Sequence, residues 1–587
     1  MTPYEVLVEV LDQLRAEAPA TYTSYHPDIS DVEKLNSARA KAFLHLFLKV
    51  RFGLLTFLER ESYITEGTDD GGIDAYYVDS ERKVIYFLQA KFRTNEKNFE
   101  DKSIDPEELL MMDIARVLEG ETMYETGRPY NPKVLQMVKK IREINDIGRY
   151  SYKVVILANA KGVTRQKLFT LTGGFPTELI DYKSCYAKLL FPLVSGTYYH
   201  ADELQLSLSL SNKSAGAKIS YTVTTEFTNC EITVIFVPTL EIAKAMFKYR
   251  NSILQYNPRS YLGHEGRTVN REIRQSIENR ATNEFALFNN GITILSDETY
   301  LNEKIGQKER AQLVLKNAQI INGGQTAYTL SIIYRENLNN DVSALFGEKE
   351  VLVKIITFEG GSGLSENRKL ALIQDISRAT NQQSVVTSAD RRSNEESVKE
   401  LQRRIFENTG LFLERKRGEF EDGVREGYIQ ETEIIERTFF FRAALVAQGK
   451  LNQATGRRLV AKMDYTVLTR VSDDLLDRYA FAVQLLAKLV QRTGSFSPAL
   501  SGLIVAKVYF GLVIGFKPGI SIREREETVS AVASNLGRSW EAFQPFIATA
   551  IPEYVNKKFR GRKVPIELEE YFNSQTFTAD LTEFHTQ

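Results

Sequence analysis

Two strand-like runs joined by a short polar turn constrain the fold of this 587-residue chain more than any other feature. The runs GIDAYYV and VIYFLQAKF flank the polar segment DSERK, and both are rich in β-branched and aromatic residues. Such runs are typical of strands, and a polar segment of this length is typical of a chain reversal. The sequence therefore predicts a β-hairpin between residues 71 and 92.

The segments around the hairpin predict one α/β domain. The first 60 residues have helical spacing of apolar side chains, and Ser30 with Glu33 forms an S-x-x-E capping box. Residues 132–146 have the pattern of a helix, and YKVVILANA at 152–160 has the pattern of a central strand. An alternating apolar and polar run at 204–211 places the end of this domain near residue 200.

The rest of the chain is predicted to contain a second α/β unit and a helical region. Strand-like runs such as EITVIFVP and VLVKIITF mix with helical segments up to about residue 430. Beyond that point the apolar spacing is mostly helical, and the run at 503–516 predicts a buried helix or strand because it is too short to span a bilayer. The predicted domains are 1–200, 201–430 and 431–587.

The composition excludes several classes of protein. The 75 Lys and Arg residues balance 76 Asp and Glu residues, so any nucleic-acid surface must be local. Cys185 and Cys230 are too few for a disulfide framework or a thiolate zinc site, which fits a reducing compartment. The acidic N-terminal segment lacks the pattern of a signal peptide. We therefore expect a cytoplasmic protein without a membrane partner.

Three polar residues of the predicted hairpin form a candidate catalytic group. Gln89 and Lys91 are two apart on one strand and point to one face, while Asp74 lies on the neighbouring strand. If the register sets Asp74 opposite Gln89, a carboxylate, an amide oxygen and an ammonium group converge. Such oxygens suit Mg²⁺, and Lys91 would position water or stabilise charge on a phosphodiester. A simple ion pair of Asp74 and Lys91 is the alternative.

The phrases GGID and QAK resemble the core of PD-(D/E)XK nucleases, in the restriction-endonuclease-like branch where Gln replaces the acidic residue. The resemblance covers about residues 30–160. It implies a mixed sheet flanked by helices, and metal-dependent phosphodiester cleavage by Asp74, Gln89 and Lys91 with Mg²⁺, or Mn²⁺ in its place. Because Gln89 brings no charge to the metal, we expect another acidic residue to help.

Asp70 is the first candidate for that further metal ligand, beside Asp74 and Gln89. Asp69 and Asp70 also suit the turn of an Asp-Asp-Gly-Gly segment. Glu33 and Glu59 are further candidates in what the resemblance implies, because such nucleases often place a Glu on the helix before the hairpin. The capping box explains Glu33 equally well.

Two stretches in the middle of the chain, NNGIT and NGGQT, place Asn and Gly at the ends of apolar strands. The second precedes a helical run, and N–H groups at a helix N-terminus favour an anion such as a phosphate. A turn followed by a helix cap is the alternative explanation.

The same two phrases, with QYNPRSYLG before them and ATNQQSVV after them, resemble the abortive-infection phage-resistance (AIPR) family over about residues 220–430. A nuclease core in front of such a domain implies a role in bacterial antiviral defence. We expect a polar cluster there that binds an unidentified ligand, made of Arg259, Asn290, Asn322, Gln325 and Asn381.

Local basic segments are candidates for nucleic-acid contact. Arg391 and Arg392 form one, and residues 415–417 form another. The third is KKFRGRK near the C-terminus, with Lys557, Lys558, Phe559, Arg560 and Arg562. Solvated surface charge is the alternative reading of all three.

Together these features predict an α/β multidomain protein with a restriction-endonuclease-like mixed sheet flanked by helices, a second AIPR-like α/β domain and a mainly helical C-terminal region. The expected activity is metal-dependent hydrolysis of DNA in anti-phage defence, regulated by the AIPR-like domain through a homo-oligomer, a phage component or a nucleotide. Two alternatives remain open: an RNA-cleaving abortive-infection effector, and a nucleotide- or DNA-binding sensor with an inactive nuclease core.

Overall fold

The structure is a computed structural model that describes residues 1–110, 112–200, 202–211, 218–226, 228–257, 267–280, 282–358, 371–373, 375–376, 395–455, 471–493, 502–559, 568–572 and 574–586. It is a mixed α/β structure with several small sheets and a helical C-terminal region. Within those residues, no helix is long and apolar enough to cross a membrane.

The first sheet contains the predicted hairpin. Its strands, in spatial order, are β1 Ala75–Asp79, β2 Val84–Ala90, β3 Ser151–Leu157 and β4 Thr177–Leu179. β1 and β2 are antiparallel, with Ala75 opposite Leu88, whereas β3 is parallel to both β2 and β4. The predicted hairpin and the predicted internal strand are therefore confirmed.

Helices pack on both faces of this sheet. They are α1 Pro3–Ala16, α2 Val32–Phe52, α3 Phe57–Glu61, α4 Glu96–Asp101, α5 Pro106–Leu110, α6 Ile114–Glu119, α7 Pro132–Arg142, α8 Arg165–Leu171, α9 Tyr182–Cys185 and α10 Phe191–Ser195. Side chains of β2 alternate between two apolar cores: Leu88 packs in the core of α1 and α2, and Phe87 packs in the core of α7. The strand β2 is thus apolar on both faces.

The predicted capping box at the start of α2 is wrong. The N-cap is Asp31, whose carboxylate accepts the N–H of Lys34 at 3.2 Å, one residue after the predicted cap. Ser30 instead donates its hydroxyl to Asp28. Asp and Ser are both good N-caps, so the pattern alone did not choose between neighbours.

The middle of the chain builds two further sheets. The strands are β5 Glu203–Ser209, β6 Lys218–Thr224, β7 Asn229–Pro238, β8 Ile292–Ser296, β9 Glu298–Asn302, β10 Arg310–Lys316, β11 Gln319–Asn322 and β12 Glu350–Phe358. One sheet has the order β5-β10-β9, and the other has the order β11-β8-β12-β7-β6. The helices are α11 Thr239–Tyr249, α12 Arg267–Glu278, α13 Phe285–Phe288, α14 Gly324–Glu336 and α15 Val342–Phe346.

The C-terminal part is mainly helical. Its elements are α16 Glu396–Thr409, β13 Phe412–Glu414, α17 Glu421–Arg425, β14 Ile434–Glu436, α18 Arg437–Ala447, α19 Leu451–Ala454, α20 Asp473–Thr493, α21 Gly502–Gly515, α22 Ile522–Phe559, α23 Leu568–Phe572 and α24 Gln575–Thr586. The apolar run near 503–516 is thus the helix α21. Phe406, Phe412 and Phe420 pack into the core of α1 and α2, so this segment joins the N-terminal part to the helical part.

Candidate functional site

Asp74 lies immediately before β1, at the end of the first sheet. Its main-chain N–H donates to the carbonyl of Leu88 at 2.9 Å, and its carboxylate Oδ2 accepts the N–H of Ala90 at 2.7 Å. One step beyond the pair of Ala75 and Leu88, the register places Asp74 beside Gln89. The hairpin therefore brings the Asp74 carboxylate to the end of β2.

Gln89 and Lys91 meet Glu108 of α5 at this end of the sheet. The amide Nε2 of Gln89 donates to the main-chain carbonyl of Glu108 at 3.2 Å. The Lys91 ammonium lies 3.0 Å from Glu108 Oε1, and about two fifths of the Lys91 side chain is exposed (41%). Lys91 thus has one carboxylate partner and remains open to solvent.

The loop before Asp74 contributes two more carboxylates. The N–H of Glu66 donates to the carbonyl of Asp74 at 2.9 Å. Asp70 accepts hydrogen bonds from the N–H groups of Gly67 and Gly72 at 3.2 and 2.9 Å. It therefore orders the turn, which is the role that the sequence predicted as the alternative to a metal ligand. We call Glu66, Asp70, Asp74, Gln89, Lys91 and Glu108 the acid cluster.

Three carboxyl groups of the acid cluster, those of Glu66, Asp70 and Asp74, have raised pKa values. Burial raises the pKa of Asp74 to about 8, helped by the charges of Asp70 and Glu66 and opposed by an N–H donor and by Lys91. Burial likewise raises the pKa of Glu66 to about 7 and shifts that of Asp70 upward. Partly buried acids that repel one another are typical of functional sites, because folding alone gains nothing from them.

Three buried oxygens of the acid cluster accept no hydrogen bond from any described residue. They are Glu66 Oε2, Gln89 Oε1 and Glu108 Oε2. Buried polar atoms are normally paired, so this set suits a group that supplies positive charge. Carboxylate and amide oxygens are the ligands that Mg²⁺ takes, and the donors present fit such an ion.

A cation here would depend on more than protein carboxylates. Over the described ranges, no group of three or more His, Cys, Asp or Glu side chains is arranged to hold a metal ion. The Gln89 amide is not of those types, and Mg²⁺ usually keeps several waters or substrate oxygens. The described side chains would therefore supply only a few of the ligands of such an ion.

Sequence reasoning missed Glu66 and Glu108 and offered two other glutamates. Glu33 is exposed on the first turn of α2, and Glu59 accepts the N–H of Thr56 at 2.9 Å in the capping box of α3. Glu66 precedes Asp74 by eight residues and lies just before the predicted hairpin of residues 71–92. Its acidic character and that position were the signal available.

A small cavity beside the acid cluster has basic and aromatic walls. Lys91, Arg93 and Lys102 line it together with Phe43, Phe99 and Tyr182. Lys102 is exposed, and Arg93 is half-buried. Cations next to aromatic rings are the combination that binds the backbone and the bases of single-stranded nucleic acid.

The glycine turns of the middle sheets serve packing. Gly323 has φ of +79°, and a Cβ there would lie 2.7 Å from the carbonyl oxygen of Gly291. Gly291 has φ of +85°, and a Cβ there would lie 2.7 Å from the carbonyl oxygen of Leu352. The two turns thus press backbone against backbone, which only glycine allows.

The predicted polar cluster of the middle region is only partly described. Asn322 Oδ1 accepts the N–H of Gly323 at 2.6 Å, and the Gln325 amide donates to Asn270. Asn290 is exposed. Arg259 and Asn381 lie outside the described residues. The amides of Asn322 and Gln325 bond within the protein, which fits the turn-and-cap alternative.

One of the three predicted basic segments can be compared with the structure, and the side chains of the other two lie outside the described residues. Arg415 is buried and pairs with Glu419 at 2.7 Å, and Lys416 is buried and donates to main-chain carbonyls, so a surface patch there is wrong. Burial lowers the pKa of Lys416. Arg391, Arg392, Arg560 and Arg562 lie outside the described residues, as do the side chains of Lys557, Lys558 and Phe559 at the end of α22.

Residues 254–457 match the family model described as AIPR protein. This match supports an AIPR family protein. It covers roughly a third of the chain and includes both glycine turns, whereas the acid cluster precedes it. It suggests a role in abortive infection. Searches of the curated proteins and of the solved structures each gave no significant match.

Proposed function

We propose that the chain is an anti-phage defence nuclease that hydrolyses phosphodiester bonds at the acid cluster. The observation that carries this proposal is the meeting of mutually repelling carboxylates, buried unpaired oxygens and an accessible lysine at one end of the first sheet. The QAK spacing of a PD-(D/E)XK-like core agrees with that arrangement. The AIPR match supports the defence role.

Asp74, Gln89 and Asp70 are the proposed holders of Mg²⁺ or Mn²⁺, with Glu66 close by. A divalent ion at these oxygens would polarise the phosphodiester and lower the pKa of a bound water. To bind the ion, the Asp74 carboxyl group must lose its proton. Because its pKa is raised to about 8, it is mostly protonated at pH 6 and mostly ionised above pH 8.

Lys91 is the proposed stabiliser of charge on the scissile phosphate. Its ammonium is held 3.0 Å from Glu108, which fixes its direction while leaving it accessible. A fixed cation that faces developing negative charge lowers the barrier without reorganisation. Arg93 and Lys102, in the cavity beside it, would draw the polyanion toward the acid cluster.

The AIPR region is the proposed regulator of this activity. An uncontrolled nuclease would damage its host, so an activating signal, such as a phage component, a nucleotide or a change of oligomeric state, is expected to act through it. DNA is the preferred substrate in this proposal, and RNA is the alternative.

The test is cleavage of plasmid, single-stranded DNA and RNA by the purified chain with Mg²⁺ or Mn²⁺. We expect Lys91→Ala to reduce the rate about 100-fold or more. Lys153→Ala is the matched control, because Lys153 lies in the same sheet and pairs with Glu178 at 2.7 Å. Equal cleavage by wild type and Lys91→Ala would contradict the proposal, and so would absence of cleavage of all three polymers under every activating condition tried.

A further inference from the structure

A second cluster of charged side chains lines a cavity where α11, α14 and α17 meet. Arg250 follows α11, Arg335 lies near the end of α14, and Arg425 ends α17. Asp422, Tyr328 and Phe247 complete the part of the lining that matters here. We call this the arginine cavity, and it lies apart from the acid cluster in sequence and in fold.

The arginines of this cavity outnumber the carboxylates that reach them. Glu426 Oε1 accepts from Arg335 at 2.9 Å and also from Arg250 at 3.3 Å. Asp422 bonds to Arg425 and to the hydroxyl of Tyr328, and its Oδ2 lies 3.9 Å from Arg250. Among the residues that the structure describes, three guanidinium groups thus share two carboxylates, so the positive charges outnumber the negative charges by one.

The crowding of cations affects the pKa of Arg335, whereas that of Arg250 is raised because Tyr198 and Glu426 outweigh the effect of burial. Burial lowers the pKa of Arg335, and the positive charges of Arg425 and Arg250 lower it further, against the effect of Glu426. The pKa of Glu426 is also lowered. Burial alone would raise it, but the positive charges of Arg250 and of the other cations nearby have a larger effect. An added anion would relieve this repulsion.

One unused donor and the partial exposure of two arginines make the cavity accessible to a ligand. The buried Nε of Arg250 has no hydrogen-bond acceptor among the residues that the structure describes. The side chains of Arg335 and Arg425 are 29% and 27% exposed, so they flank an opening above the more deeply placed Arg250. Guanidinium groups arranged in this way match the several oxygens of a phosphate.

The remaining wall of the cavity is apolar. Met246, Phe247 and Ile332 line it, and the ring of Phe247 meets that of Tyr334 edge to face at 5.5 Å between centroids. The enclosed space of the cavity is small, about 10 Å³, so a ligand that contacts both parts extends out of the opening, with a phosphate on the arginines and a flat, weakly polar group against the apolar wall. A nucleotide has both.

We propose that the arginine cavity binds a nucleotide, with its phosphate on Arg250, Arg335 and Arg425 and its base against Phe247. The site joins three parts of the chain. Asp422 and Arg425 belong to the segment after α16, and a Cβ on Gly196, next to α10, would lie 3.0 Å from Asp422 Oδ2. A bound nucleotide would therefore clamp the junction of the N-terminal part, the middle sheets and α17.

The test is calorimetric titration of the full chain with ATP, AMP and inorganic phosphate, in EDTA so that no divalent ion occupies the acid cluster. We expect saturable binding of ATP or AMP, and about tenfold weaker binding by Arg335→Gln, since a charged hydrogen bond is lost. Arg274→Gln is the matched control, because Arg274 pairs with Glu278 and Glu336 outside the cavity lining. It should bind like wild type.

Two outcomes would overturn the proposal. One is no binding of either nucleotide at millimolar concentration, and the other is equal binding by wild type and Arg335→Gln. Phosphate bound as tightly as AMP would contradict the role of the apolar wall. Should Arg335→Gln not fold by circular dichroism, Arg335→Lys and Arg425→Gln replace it, with weaker binding again expected. Failure of the nuclease assay has no bearing on these titrations.

Discussion

The acid cluster and the glycine turns look alike in the sequence, since both place glycines beside polar residues at the end of a strand. In the structure they differ in whether their polar groups have hydrogen-bond partners. The acid cluster has mutually repelling carboxylates and three buried oxygens without a described partner. At the glycine turns, Asn322 and Gln325 bond within the protein, and the glycines permit backbone contact. A candidate site is therefore distinguished from a structural turn by carboxylates that repel one another and by buried polar atoms without hydrogen-bond partners, and not by the sequence motif.

The largest effect is expected from a substitution that disrupts the packing of the glycine turns. Gly323→Ala should lower the free energy of unfolding by about 3 kcal/mol, because a Cβ there meets main-chain atoms of Gly291 and Ile292 and the φ angle is positive. Gly127→Ala is the control: its φ is also positive, but nothing lies within 4 Å, so about 1 kcal/mol is expected. Denaturant unfolding of both variants measures the difference, and equal losses would show that the turns do not depend on close contact.

The next largest effect is the loss of stability that the acid cluster causes as the pH rises. The folded-state pKa of Asp74 is raised, so the folded chain holds this proton more tightly than the unfolded chain does. Stability from this group is therefore present below the ordinary Asp pKa of 3.8 and is lost as the pH rises toward about 8. In metal-free buffer, wild type should lose about 2–3 kcal/mol more than Asp74→Asn between pH 6 and pH 9. If the stabilities of the two proteins changed with pH in the same way, the pKa of Asp74 would not be raised in the folded chain.

A smaller effect concerns the basic cavity beside Lys91. The double variant Arg93→Ala and Lys102→Ala should bind single-stranded DNA about three- to tenfold more weakly at low salt, with a shallower salt dependence, because two phosphate contacts are removed. Lys308→Ala, at an exposed lysine of the middle region, is the control. Fluorescence anisotropy at several salt concentrations measures both. An unchanged salt dependence in the double variant would exclude the cavity as a nucleic-acid path.

The smallest effect is expected from removing a polar side chain beside the glycine turns. Gln325→Ala removes one hydrogen bond to Asn270 and should cost about 1 kcal/mol or less, with nucleic-acid cleavage and metal binding unchanged. Thermal unfolding and the cleavage assay check this. A large loss of cleavage with normal stability would place a functional site at the turn and erase the contrast with the acid cluster.

Much of the fold was readable from the sequence because its signals are local. The hairpin followed from two β-rich runs around a polar turn, and the internal strand β3 from an uninterrupted apolar run. The helical C-terminal region followed from apolar spacing. The start of α2 was misplaced by one residue because Ser30 and Asp31 are both good caps.

The parts of the site that were missed depend on contacts between distant residues. Glu108 joins the acid cluster only because α5 packs beside the end of β2, and no spacing in the sequence reveals this. Arg415 and Lys416 resembled a surface patch, but they fold inward, where Lys416 reaches the carbonyl of Leu254. The charge of a segment does not show whether tertiary structure buries it.

The central claim is that the acid cluster holds a divalent cation, and calorimetric titration with Mn²⁺ and Mg²⁺ tests it most directly. We predict that wild type binds at pH 8.5 with release of protons, that affinity falls by up to about tenfold per pH unit below pH 8, and that Asp74→Asn does not bind. The absence of binding by wild type at pH 8.5, or equal binding by Asp74→Asn, would contradict the claim.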